Sequence, residues 1–284
     1  MSSSESEYVY EPFADTEEYK EINRTIMREW VDAIAAAGQR GVRNLLDLGS
    51  GVGTMVQLFL ESMRRGWPRP AVVCVDMSEQ ALEQAKRRLE PSLEHLELVV
   101  SPIEESELPK GRFDAAMWGN GIHYLDDSHL VAALQNTFDA LKEGGWFFFN
   151  TAFVAESRPP ETLPFYRAQI GKAMRYLRSI GAPREKEERP PQSSRFLPAA
   201  HYETMLREVG FAVQSMHTSV ARLYQTAWEH ISGFAQYAAG ALHGYRDDLA
   251  AKAMRSAVGP AIEEYGQRDE RNRPFVPRGW VSGI

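Results

Sequence analysis

Two periods of hydrophobicity divide the chain. Short, largely apolar runs, the mark of strands buried on both faces, occupy 45–48, Ala71–Val75, Leu96–Val100, Phe113–Gly119 and Trp146–Thr151, and the more mixed stretches Phe211–Val220 and Phe275–Val281 also read as strands. Between them, apolar residues recur at helical spacing over Met55–Met63, Ser78–Leu89, Ser128–Leu141 and Ala199–Val209. Glycines punctuate the joins: Gly144-Gly145 follows one helical run and Gly210 stops another. An earlier helix, capped by Asp15 or Thr16 and running to about Ala37, places Ile22, Ile26, Trp30 and Ile34 near one face. Strand alternating with helix in this way predicts an α/β fold with a doubly wound, largely parallel sheet.

Two long excursions interrupt that rhythm. Phe153–Leu197 holds Pro159-Pro160, a helix expected over Pro164–Ile180 and a charged, proline-rich loop, Pro183–Pro191. Leu223–Arg273 carries two helical patterns, near Thr226–Ala241 and Asp247–Tyr265. Both far exceed the roughly 2–6 residues of an ordinary connection, and such excursions are often lids or binding loops. Their aromatics, among them Phe165, Tyr166, Trp228 and Tyr237, suit either a helical core or an apolar pocket.

The chemistry gathers at Asn44–Thr54, N-L-L-D-L-G-S-G-V-G-T, where an apolar strand turns sharply into a helix. Glycine lets a backbone pass close to a ligand, and a helix start presents free N–H groups. The spacing is G-x-G-x-G, and neither the G-x-G-x-x-G of dinucleotide folds nor a phosphate-loop Gly-Lys-Ser/Thr is present. Asp47 stands two residues before Gly49; a carboxylate there repels phosphate and attracts a cation. The ligand therefore reads as a nucleoside bearing positive charge. A second acid, Asp76, ends the next strand, where it can accept hydrogen bonds from both ribose hydroxyls. Ser78 is placed to cap the following helix in its stead, and Met77 is placed to pack on a base.

This stretch resembles motif I of the class I S-adenosylmethionine (SAM)-dependent methyltransferases, of the small-molecule, type 11 or 12 kind. The L-K-E-G-G passage before Trp146 and Leu206…Val209-Gly210-Phe211 are similar to the same family. The resemblance implies a Rossmann-like, doubly wound seven-stranded sheet with an antiparallel last strand, elaborated by helical cap insertions. It divides the chain into an N-terminal arm and lid helix (1–43), a SAM-binding core (44–152), a cap insertion (153–198), the core continued (199–222), a second helical insertion (223–273) and the last strand (274–284). It implies SAM as cofactor, leaving as S-adenosylhomocysteine, held by Asp47, Gly49, Ser50, Gly51, Asp76 and Met77. Pro102 stands where many relatives carry an acid, so adenine recognition passes to the backbone of Ser101, Pro102 and Ile103. Gly119 and Asn120 would line the sulfonium and amino-acid end. The aromatic arm Tyr10, Phe13 and Tyr19 is expected as a lid over the cofactor, with ordinary core packing as the other reading. His123 is the candidate general base, its ordinary pKa suiting proton removal near neutrality; a packing role is its alternative.

Composition narrows the acceptor. The 32 basic residues against 39 acidic ones give a formal charge of −7, which speaks against nucleic acid or an anionic membrane as partner. The lone cysteine, Cys74, sits in an apolar run and allows neither an intrachain disulfide nor a multi-cysteine zinc site; no metal is expected. No basic-apolar leader opens the sequence and no run approaches 18 apolar residues, so a cytoplasmic protein without a membrane span is expected. The expected activity is methyl transfer to a small, partly apolar organic acceptor, most readily on oxygen. Transfer to nitrogen, or a SAM-fold protein with a non-methylating role in natural-product assembly, such as a cyclisation, are the alternatives. The oligomeric state is not specified by the sequence.

Overall fold

The computed structural model describes residues 11–184 and 194–284. In chain order its elements are α1 (Glu11–Ala14), α2 (Glu17–Ala36), β1 (Asn44–Leu48), α3 (Thr54–Ser62), β2 (Ala71–Asp76), α4 (Glu79–Leu89), β3 (Leu96–Val100), β4 (Phe113–Gly119), α5 (Asp127–Ala140), β5 (Leu141–Thr151), α6 (Leu163–Ser179), α7 (Ala199–Val209), β6 (Met216–Tyr224), α8 (Gln225–Ser232), α9 (Ala235–Ala241), α10 (Asp247–Ser256), α11 (Val258–Tyr265), β7 (Gln267–Arg268) and β8 (Pro274–Gly283). They fall into two compact units. A sheet unit comprises Lys20–Ala152, Pro198–Ser219 and Val281–Ile284; a helical unit takes in Phe153–Leu197 and Val220–Trp280, with the residues up to Tyr19.

The sheet runs β3-β2-β1-β4-β5-β8-β6. Strands β1 to β5 pair in parallel, whereas β8 lies antiparallel to β5, Thr151 opposite Val281. The expected antiparallel last strand is therefore present. The count needs one addition: β7, two residues long, pairs with β8 through Gln267 and Phe275. Its brevity leaves no period to read in the sequence. The strand order reverses on either side of β1, which lies between β2 and β4, and ligands of such sheets bind beyond the carboxyl ends at this switch. Those ends are Leu48, Asp76 and Gly119.

Packing follows the apolar pattern. Ile22, Ile26, Trp30 and Ile34 are all buried. Trp30 stacks on Phe148 of β5 at 5.1 Å, and its indole N–H donates to the Ser282 hydroxyl at 2.9 Å. From Lys20 onward α2 is thus a core helix of the sheet unit. Ser78 caps α4 as its sequence suggests, its hydroxyl accepting from the Ala81 N–H, and Gly210 ends α7 in the left-handed conformation. The expected sixth strand begins later, at Met216. Phe211 packs instead against Phe138 and Phe147, at 5.1 and 5.2 Å, and strand-like bonding starts where the Gln214 N–H meets the Ile284 carbonyl.

In the helical unit α6 lies where its period places it, whereas each later helical pattern is split in two. Gly233 closes α8 before α9 begins. Pro260, lacking an N–H, forces a new start at Val258. Buried Gln169 of α6 bridges to this group, its amide donating to Ser232 Oγ at 2.8 Å and to the Met254 carbonyl at 3.2 Å. Most of the proline-rich loop lies outside the described residues. No described helix is long and apolar enough to cross a membrane.

Candidate functional site

The turn after β1 is built from three glycines at positive φ, Gly49 (60°), Gly51 (52°) and Gly53 (77°). Their reasons differ. A Cβ on Gly53 would come within 3.0–3.2 Å of Leu89 and Ala85, so the third glycine lets α3 approach α4. A Cβ on Gly49 would face the Trp118 indole nitrogen at 3.4 Å and Ile103 at 3.6 Å. The turn is tied to β2: the Ser50 N–H donates to the Val75 carbonyl at 3.1 Å, and the Gly51 N–H to Asp76 Oδ2 at 2.8 Å. Asp76 Oδ1 accepts from the Ser78 N–H at 2.9 Å. Each oxygen of Asp76 thus holds one backbone donor and keeps further acceptor capacity. Burial raises the pKa of Asp76, against the lowering effect of these bonds.

Asp47 is the more unusual group. It is buried, and neither carboxyl oxygen has a hydrogen-bond partner among the described residues. Loss of water pushes its pKa up to about 8, with the nearby Asp76 adding to the rise. The Ser50 hydroxyl offsets part of this, although it donates to the Asp47 carbonyl, at 2.8 Å. At neutral pH the carboxyl is therefore mostly protonated. Cys74, opposite it on β2, is buried and its thiol is pushed up as well, which leaves it inert.

The predicted adenine side converges on the same place. The Ser101 N–H donates to the Asp76 carbonyl at 3.0 Å, Pro102 opens a single helical turn at Ile103, and Met77 is 76% exposed, an isolated apolar side chain on the rim. At the end of β4, Gly119 and Asn120 are held by packing and by backbone bonds. A Cβ on Gly119 would lie 2.6 Å from Met55 Cγ, so the small residue there serves packing on α3. Asn120, at a φ of +52°, spends its side-chain oxygen on the Ala152 N–H at 2.8 Å, while its own N–H meets the Asn150 carbonyl at 2.9 Å. Asn150 is anchored in turn on Asn23. These bonds fix the loop after β4 and make Asn120 a positioning residue. His123 is buried, and its Nδ1 lies 3.0 Å from the Thr151 hydroxyl. Tyr19 belongs to the helical unit, where it packs edge-on against Phe13 at 5.3 Å and near Trp280 at 6.4 Å. Tyr10 lies outside the described residues.

A profile of the family described as "Methyltransferase domain" matches residues 45–145. The ubiquinone/menaquinone biosynthesis C-methyltransferase UbiE of Desulfotalea psychrophila is 30% identical over 112 residues, 39% of this chain and 42% of that one. The malonyl-[acyl-carrier protein] O-methyltransferase of Geobacter sulfurreducens is 26% identical over 157 residues, 55% of each chain. Residues 45–145 are thus similar to SAM-dependent methyltransferase domains. The chain spans about two fifths to just over half the length of the curated relatives it matches. A solved structure from Bacillus halodurans shares the fold, with a TM-score of 0.54 over 90% of this chain and 96% of that one, at 15% identity.

The matched segment holds one residue that the sequence pattern does not single out. Trp118 is 1% exposed, and its indole N–H is buried without a hydrogen-bond partner among the described residues, beside Gly49. A Cβ on Gly121 would collide with that nitrogen, at 2.2 Å. A donor left unmet in a core costs about 1–3 kcal/mol. The signal in the sequence was a tryptophan three residues before Gly121, the glycine whose missing side chain makes room for the ring.

Proposed function

We propose that this protein transfers the methyl group of SAM to an oxygen of a small, partly apolar organic acceptor. When bound, SAM supplies an electrophilic methyl on a sulfonium; every other task falls to the chain. The observation that carries this reading is the pair of acids flanking a glycine turn: Asp76 fixed on the Gly51 and Ser78 N–H groups, Asp47 buried with no partner among the described residues. The residues present fit a cationic nucleoside. Asp76 offers its remaining lone pairs to ribose hydroxyls, and Gly49 leaves open the space a Cβ would fill. Met77 and Ile103 provide apolar faces for adenine, and the Ser101–Ile103 backbone its polar edge. Asp47 gives up its proton as positive charge arrives, turning from a neutral carboxyl into a counter-ion. The Trp118 N–H is a donor ready for a ligand acceptor.

Alignment of acceptor and donor contributes most to such a displacement, roughly 7–11 kcal/mol where it is good. His123, oriented through Thr151, is the group we assign to removing the acceptor hydroxyl proton. The curated relative named as an O-methyltransferase agrees with an oxygen acceptor. Incubation with methyl-labelled SAM and a panel of hydroxylated small acids and phenols tests the activity. A labelled product heavier by one methylene supports it, whereas a product of unchanged mass favours a cyclisation and contradicts it.

A further inference from the structure

The helical unit places two guanidinium groups near one another. Arg278 of β8 is fully buried. Its Nη1 donates to the Tyr166 hydroxyl at 3.0 Å, and its guanidinium carbon lies 5.0 Å from the ring centre of Phe153, 5.6 Å from Trp228 and 5.8 Å from Tyr237. Arg158, half-buried after the turn Ala155–Ser157, lies 3.2 Å from the ring centre of Phe196 and 5.1 Å from that of Tyr166. Its Nε is buried without a hydrogen-bond partner, and its guanidinium makes no ion pair among the described residues. Burial, together with the positive charge of Arg278, holds the pKa of Arg158 below its ordinary value.

Arginine is rarely taken out of water without a counter-charge. Aromatic faces attract the cation but leave its N–H edge unfilled. Phe196, the ring against Arg158, sits at a φ of +45°, a region that bulky residues avoid and that gathers at ligand clamps. We propose that Arg158 is the centre of a carboxylate-binding site in the helical unit, taking an organic acid with an apolar body. A planar carboxylate matches the guanidinium fork. Tyr237 adds a hydroxyl that burial pushes up to about 12, so it stays a donor at neutral pH. The rings of Phe153, Phe196 and Trp228 suit an aromatic or acyl body. They disfavour a phosphate dianion, whose desolvation costs more.

The site stands on the helical unit alone.

Calorimetry on the full chain without SAM tests it, with 3-phenylpropionate, its neutral amide and inorganic phosphate as probes. The acid should bind at least about tenfold more tightly than the amide or phosphate, the scale of a lost charge-assisted bond. Arg158→Gln should lose that preference while its melting temperature holds or rises, since a repulsion is relieved; Arg158→Lys, keeping the charge without the fork, should fall between. SAM affinity, an attribute of the sheet unit, should be the same in all three proteins, so this proposal can fail while the transferase reading stands. Equal binding of acid and amide would overturn the site, phosphate binding as tight as the acid would overturn the carboxylate assignment, and a lower melting temperature with acid binding intact would make Arg158 a packing residue.

Discussion

At the residue scale the decisive group is Asp47. Folding holds its proton up to about pH 8, whereas its ordinary pKa is 3.8. A raised folded-state pKa means that stability from this group is fully present below pH 3.8, declines as pH rises and levels off above about 8. Asp47→Asn is neutral throughout, so its melting temperature relative to wild type should climb from pH 4 toward pH 8. A difference independent of pH would mean that Asp47 is not held protonated. The same group predicts that SAM binding near neutrality releases protons, seen as enthalpies that depend on buffer ionisation, and that Asp47→Asn abolishes the release. Trp118→Phe removes the unmet N–H while keeping the ring; SAM affinity should fall by about tenfold with stability unchanged or raised. Unchanged affinity would leave Trp118 a packing residue. His123→Ala should slow methylation of a hydroxyl acceptor by roughly 10²-fold or more at unchanged SAM affinity; equal rates at every pH would make the imidazole structural. The acids and glycines of this site were readable from spacing, because their chemistry is written in residue type. Trp118 was not: an apolar period reports that a side chain is buried and is silent on whether its N–H is met.

At the element scale the surroundings of a positive-φ glycine set the cost of replacing it, and Gly53 in the β1 turn and Gly38 after α2 are the contrasting cases. Gly53→Ala adds a Cβ at a φ of 77° that meets Leu89 and Ala85. Gly38→Ala adds one at a φ of 80° with nothing within 4 Å. Denaturant titrations should therefore give about 1–2 kcal/mol of loss for Gly38→Ala, the backbone cost alone, and a larger loss for Gly53→Ala. Equal losses would mean that α3 and α4 yield easily. Long periodic segments such as α2, α4 and α7 were legible because burial on one face dictates their pattern. Breaks at Gly233 and Pro260 were passed over because the apolar spacing continues across them, whereas the backbone does not. The late start of β6 has the same origin: Phe211 is apolar for the sake of Phe138 and Phe147, and its neighbours gain ladder partners only from Gln214.

At the scale of the molecule, the regular alternation of strand and helix builds the sheet unit, and the two excursions that break it supply the helical unit. The parallel order around β1 was readable from strand–helix alternation, and the antiparallel β8 from family resemblance. The arrangement of Arg158, Arg278 and their rings was not, because those residues meet only across long separations in the chain. The proposed SAM binding depends most on the cradle formed by the β1 turn and Asp76. Isothermal titration of SAM and S-adenosylhomocysteine into the wild-type chain and Asp76→Ala tests it directly. One site per chain, weakened at least about tenfold in the variant, is the predicted result; no binding of either compound to the wild type, or equal binding to both proteins, would contradict it.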